Sequence, residues 1–84
     1  MNPQDIKRTV KTFILNEYLP GEDPVALTDT TPLMTTGILD SIAVLKVVTF
    51  LEDQFGIRIE PHEAVVENLN TLSDIERFVM TKKA

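Results

Sequence analysis

Gly37-Ile38-Leu39-Asp40-Ser41-Ile42-Ala43-Val44-Leu45-Lys46-Val47-Val48-Thr49-Phe50-Leu51-Glu52-Asp53-Gln54-Phe55-Gly56, at the middle of an 84-residue chain, spells a helix with both ends marked. Asp40 stands where a side-chain oxygen caps the first free amides, and Gly56 follows Phe55 where a left-handed residue stops the helix. On a wheel of about 100° per residue with Ile42 at zero, Val44, Val48, Leu51 and Phe55 cluster between about 180° and 240° and define the core face. Lys46, Thr49 and Asp53 fall within about 40° of Ile42, on the opposite, polar face. Ile42 is thus an apolar side chain in a solvated stripe, directly after Ser41. Phe50 lies laterally.

Upstream, Asn2-Pro3 reads as an N-cap with proline at the first helical position, and Ile6, Val10, Phe13, Ile14 and Tyr18 recur at helical spacing. Pro20-Gly21 ends that helix, because proline cannot continue it. The connection from Pro20 to about Leu39 carries Gly21, Pro24, Pro32 and Gly37 among many threonines, with acids and no base. Connections beyond about 12 to 15 residues are uncommon in compact domains unless functional or pinned to the core. Leu27, Leu33 and the Ile38-Leu39 pair are the expected pins.

Downstream, Ile57-Arg58-Ile59 looks extended, and Glu60-Pro61 starts a short helical turn through about Glu67 with Pro61 in its first turn. Thr71-Leu72-Ser73-Asp74 resembles a capping box, Thr71 bonding forward and the Asp74 carboxylate reaching back. Ile75, Phe78 and Val79 make the buried face of a last helix, expected to fray at Lys82-Lys83. The prediction is an all-α, four-helix bundle with three longer helices, one short helix and a long first loop. It forms one domain over residues 1–84, with no repeat and no internal boundary.

Composition removes whole classes of function. The formal charge is -5, from 13 acidic and 8 basic side chains, which argues against nucleic acid or an anionic membrane as partner and favours a basic protein. The charge is uneven: residues 21–40 hold four acids and no base, so the negative charge gathers around Ser41. No cysteine is present, which excludes a disulfide framework, a thiolate zinc site and a cysteine nucleophile. The single histidine, His62, is read as an exposed residue of the short helix. No histidine pair or acidic loop has metal-ligand spacing, and no nucleophile has a base beside it, so neither a catalytic nor a metal residue is assigned. With no signal peptide and no apolar run near the roughly 18 to 20 residues of a membrane span, the sequence predicts a soluble, cytoplasmic monomer, complete from Met1.

Ser41 is ordinary on its own, since Asp followed by Ser at a helix start is common capping chemistry. Beside the outward-facing Ile42 it looks like a modification site next to a docking knob, because a helix N-terminus favours an attached phosphate. Those residues fit a domain modified at Ser41, by phosphorylation for instance, and they fit a helical interaction or regulatory module without a prosthetic group.

The ordered set of motifs resembles the acyl carrier protein superfamily over nearly the whole chain. It comprises a first helix, a long loop with Thr31-Pro32-Leu33, the Gly37-Ile38-Leu39-Asp40-Ser41-Ile42 motif, a helix ending Leu51-Glu52-Asp53-Gln54-Phe55-Gly56-Ile57, and Asn70-Thr71-Leu72-Ser73-Asp74-Ile75 before Phe78-Val79. The resemblance implies that Ser41 receives 4'-phosphopantetheine from coenzyme A, with Mg²⁺ and the base supplied by a phosphopantetheinyl transferase. It also implies that the arm's thiol holds acyl or aminoacyl groups as thioesters, loaded by an activating ligase and passed to downstream acyl-processing enzymes, the carrier itself catalysing nothing. Docking in such proteins falls on positions that are here Asp40, Ile42, Lys46, Thr49, Asp53, Glu60 and Glu63, while Leu39 anchors the loop in the core. Fatty-acid carriers usually read Leu-Gly-Ala-Asp-Ser-Leu at the site and carry a glutamate where Lys46 stands. The Gly-Ile-Leu-Asp-Ser sequence here is closer to D-alanyl carriers and to the free-standing peptidyl carriers of secondary metabolism. Phe50 is expected to restrict room for a long acyl chain, which favours a short acyl or aminoacyl cargo.

Overall fold

The computed structural model describes residues 2–83. Four α-helices are present among them: α1 (Pro3–Tyr18), α2 (Ser41–Phe55), α3 (Val66–Leu69) and α4 (Leu72–Lys83), with 3₁₀ turns at Pro24–Ala26 and Pro61–Glu63. The architecture is therefore the expected all-α bundle with three longer helices, one short helix and a long first connection.

Local chemistry starts and stops α1 and α2 where the sequence predicts. The Asn2 side chain accepts from the Gln4 amide at 2.9 Å, and Pro3 occupies the first turn of α1. Asp40 Oδ1 accepts from the Ala43 amide at 2.8 Å, and Gly56 closes α2 in the left-handed region at φ 64°. A side chain there would add strain, which is why glycine stands at that position.

The core joins Ile6, Val10 and Ile14 of α1 to one face of α2 and to Leu72, Ile75, Phe78 and Val79 of α4. The buried arc of α2 is rotated from the one the wheel predicts. Val47 is fully buried and Ala43 is in the core, whereas Val48 is only half-buried. Large apolar residues marked the arc on the wheel. Burial follows instead the side that other elements approach, and Phe13 of α1 stacks on Phe50 there with ring centroids 4.1 Å apart. Val48 faces an open groove.

The long connection is pinned by Leu27, Leu33 and Leu39, while Ile38 is half-buried and only assists. Its polar groups are also fixed. Asn70 Oδ1 accepts from the Met34 and Thr35 amides at 2.9 and 3.2 Å, and the Asn70 carbonyl accepts from the Leu33 amide at 2.6 Å. The Ser73 amide donates to the Asp29 carbonyl at 3.1 Å, and Lys7 of α1 reaches the Asp29 carboxylate at 3.1 Å.

Three further expectations are corrected after α2. The short helix expected from Glu60 to about Glu67 is split, because Ala64 leaves helical angles at φ -84°, ψ 64° before Val66 starts α3. Asn68 Nδ2 donates to the Glu63 carbonyl at 2.8 Å and satisfies an acceptor that a continuous helix would have used, while Val65-Val66 is a β-branched pair that weakens the helix. At the start of α4, Thr71 Oγ1 accepts from the Asp74 amide at 3.0 Å as expected, but the Asp74 carboxylate turns forward to Arg77 at 3.0 Å instead of back. The end of α4 does not fray. Lys82 pairs with Glu63 at 2.6 Å, and Lys83 Nζ donates to the Phe55 carbonyl at 2.9 Å, tying the last turn to the turn at Pro61–Glu63 and to the end of α2.

Candidate functional site

Ser41 is the first residue of α2 and is exposed. Its position follows from Asp40, whose side chain caps the helix and so leaves the next residue's hydroxyl at the positive end of the helix dipole. The hydroxyl borders a groove of about 740 Å³. Gly37 and Leu39 of the long connection, Val44 and Val48 of α2, and Ala64 and Val66 of the opposite wall line it, so most of its surface is apolar.

The residues singled out from sequence divide between two faces. Asp40, Ser41 and Glu60 line this groove. Ile42, Lys46, Thr49 and Asp53 border a second, shallower groove of about 480 Å³ between α1 and α2, where the Phe13–Phe50 pair lies. Ile42 is 67% exposed, so its outward placement on the wheel holds. Glu63 stands apart from both: its carboxylate takes Lys82 and also accepts from the Glu60 amide at 2.9 Å. The hydrogen bond from Lys82, and after it the Glu60 amide, hold the Glu63 carboxyl below its ordinary range. Glu60 remains exposed beside Arg58 at 3.5 Å. His62 is exposed, and among the described residues no group of three ligating side chains is placed to hold a metal ion.

Two placements depart from sequence reasoning. Leu45 is 65% exposed and lines both grooves, forming the ridge between them. The wheel held the signal, since Leu45 lies about 60° from Ile42 on the outward side. Phe50 is engaged with Phe13 on the α1 side and does not border the groove beside Ser41, so it does not restrict room there. Nearby, the Tyr18 hydroxyl is buried without a hydrogen-bond partner among the described residues, and burial, then Glu17 and Asp40, push the phenol's pKa upward.

A family model described as a phosphopantetheine attachment site matches residues 16–79, from the last turn of α1 into α4. The chain belongs to this family. It is a carrier of the acyl carrier protein superfamily, and its prosthetic group is 4'-phosphopantetheine, held covalently. Carrier domains of this kind are non-catalytic and interact with modifying and loading enzymes. No curated protein matches the chain.

The carrier's residues fit that group. A phosphodiester needs an accessible hydroxyl and tolerates a helix N-terminus, and Ser41 offers both. A flexible amide-rich arm needs space that neither strips its polar groups of water completely nor blocks it. The groove beside Ser41 is open and mixed in that way. Among the described residues, no helix of the carrier is long and apolar enough to cross a membrane.

Proposed function

We propose that Ser41 carries the 4'-phosphopantetheine, and that residues 1–84 form a single carrier domain presenting acyl or aminoacyl thioesters to partner enzymes, in secondary metabolism. The observation that carries this reading is the exposed Ser41 hydroxyl at the first position of α2, opening on a roomy groove. In the attachment step the Ser41 Oγ forms a bond to the β-phosphorus of coenzyme A while the bond to the adenosine-bearing phosphate breaks. The hydroxyl proton passes to the transferase's base, and the transferase supplies Mg²⁺. When bound, the group supplies a thiol that stores cargo as a thioester.

The chain's own residues orient and present. Asp40 fixes the helix start, so the attachment point does not wander. Asp40 and Ile42 flank Ser41 as contacts for the phosphopantetheinyl transferase, and Lys46, Thr49 and Asp53 continue that face for an acyl- or aminoacyl-activating ligase and the enzymes after it. Glu60 extends the surface past α2, with Glu63 holding its backbone. The acidic surroundings favour basic partner surfaces, which raises encounter rates more than it strengthens binding. The absence of cysteine leaves no protein thiol to capture the cargo. A cytoplasmic monomer suits a carrier that visits several enzymes.

The test is incubation with coenzyme A, Mg²⁺ and a broad-specificity phosphopantetheinyl transferase, followed by intact-protein mass spectrometry. Wild type gains one phosphopantetheinyl mass and Ser41→Ala gains none. An unmodified wild type, or equal labelling of Ser41→Ala, overturns the assignment.

A further inference from the structure

Lys82 and Lys83, in the last turn of α4, leave the helix in different directions. Consecutive residues on a helix point about 100° apart, so the pair forks. Lys82 Nζ meets the Glu63 carboxylate at 2.6 Å, and Lys83 Nζ donates to the Phe55 carbonyl at 2.9 Å. The Phe78 ring, one turn earlier, has its centroid 5.8 Å from the Lys82 ammonium and steers it. Each contact takes up a group left open elsewhere. The Phe55 carbonyl belongs to the last turn of α2, where carbonyls lack helical partners and the dipole favours a cation. Glu63 forms a reciprocal capping box with Glu60, and the oxygen that takes the Glu60 amide at 2.9 Å is the one that takes Lys82. Lys82 therefore secures the oxygen that shapes the turn at Pro61–Glu63, while Lys83 secures the end of α2.

α4 does not need these contacts to stay in place. Its apolar face, Leu72, Ile75, Phe78 and Val79, is buried in the core, and an ion pair whose side chains are 23% and 22% exposed adds only modestly to stability. What the fork fixes is a relationship between two elements. α2 carries Ser41, the turn begins beside Glu60, and residues 57–60 between them form no helix. Glu52 Oε2 accepts from the Ile59 amide at 2.9 Å, which pins that link rather than the turn. A partner that touches α2 and the turn together finds them at a set separation only where one rigid element holds both. Without it, the two must be ordered during binding, and affinity falls.

Resting on the assignment of Ser41 as the attachment point, we propose that Lys82 and Lys83 are positioning residues for partner recognition. They hold α2 and the turn at Pro61–Glu63 in the relative pose that the phosphopantetheinyl transferase reads as one surface. Neither lysine lines the groove beside Ser41, and the start of α2 is fixed separately by Asp40. Their loss therefore weakens recognition and spares the chemistry at the Ser41 hydroxyl.

The experiment measures initial rates of phosphopantetheinylation by intact mass, with saturating coenzyme A and Mg²⁺ and varied concentrations of the full chain. Wild type is measured first, because absence of added mass overturns the Ser41 assignment and this inference with it. Lys82→Met and Lys83→Met are each expected to raise KM at least threefold, and the double variant at least tenfold, with kcat within twofold of wild type. Lys82→Arg, which keeps a cation for Glu63, is expected to restore KM to within twofold. Val47→Ala controls for lost stability, since it loosens the core without touching the fork, and its KM is expected to stay within twofold. In ¹⁵N spectra, Lys82→Met is expected to shift the Glu60 and Ala64 amides and leave those of Ser41 and Ala43 in place. Circular dichroism at the assay temperature establishes that each variant is folded, and if the double variant is not, the two single variants decide. Unchanged KM in the methionine variants, an equal rise in Val47→Ala, no rescue by Lys82→Arg, or a fall in kcat at constant KM overturns the positioning role while leaving the attachment site standing.

Discussion

Replacing Asn70 by alanine tests whether the long first connection is bolted to the rest of the bundle by one side chain. The Asn70 side-chain oxygen accepts from the Met34 and Thr35 amides at 2.9 and 3.2 Å, while its backbone carbonyl separately takes the Leu33 amide. The substitution removes the first two bonds and spares the third. A hydrogen bond contributes about 0.5–1.5 kcal/mol net, and a buried donor left without a partner costs about 1–3 kcal/mol. The Met34 bond is partly buried, so its amide is incompletely rehydrated. The Thr35 bond is exposed, so water replaces much of it. The sum is about 1.5–2.5 kcal/mol, or a melting-temperature drop of roughly 10 °C for a domain of this size. Urea unfolding followed by far-ultraviolet circular dichroism measures it, with Asn70→Asp as the control that keeps the side-chain acceptor oxygen. Asn70→Asp is expected within about 0.5 kcal/mol of wild type, the range usual for substitutions that break no special contact. If Asn70→Ala also stays within that range, or Asn70→Asp loses as much as Asn70→Ala, the bolt does not hold the loop as described.

Four shorter tests follow from other parts of the molecule. Ile42→Asp is expected to leave unfolding free energy within about 0.5 kcal/mol while slowing phosphopantetheinylation in a timed mass assay; a large loss of stability would place Ile42 in the core. Val47→Ala removes fully buried methyl groups and is expected to cost about 2 kcal/mol, against less than about 1 for Val48→Ala at the groove wall, both measured by urea titration. Tyr18→Phe removes a buried hydroxyl that has no partner among the described residues, so the melting temperature is expected to stay level or rise, and a clear fall contradicts that description. Glu63 has a folded pKa below its ordinary value of 4.5, so its contribution is present above that value and lost as pH falls through the lower folded one. The stability gap between wild type and Glu63→Gln should therefore hold near pH 7 and close under acid. A gap that widens on acidification refutes the assigned sign.

The sequence by itself determined the limits of α1 and α2 and the candidate attachment point, because these are written in residues one to four positions apart. Asn2-Pro3 starts α1, Asp40 reaches the amide three residues on, and Gly56 supplies the left-handed stop. Ser41 follows Asp40 into the first turn, so its exposure at a helix N-terminus is a local consequence of that cap. The outward face of Ile42 is equally local, being fixed by the helical period. Tertiary structure decided everything that depends on residues far apart in the chain. Val47 is buried in preference to Val48 because α1 arrives on the Phe50 side, a choice no period within α2 encodes. The expected helix after Pro61 is split where Asn68 takes the Glu63 carbonyl, and its turn is held by Lys82 from the end of α4. The groove beside Ser41 exists only because the long connection, α2 and the segment through Val66 stop short of closing on one another. Pairings such as Met34 with Asn70 or Phe55 with Lys83 compete with every other partner the chain could bring near, and only the packed bundle resolves that competition.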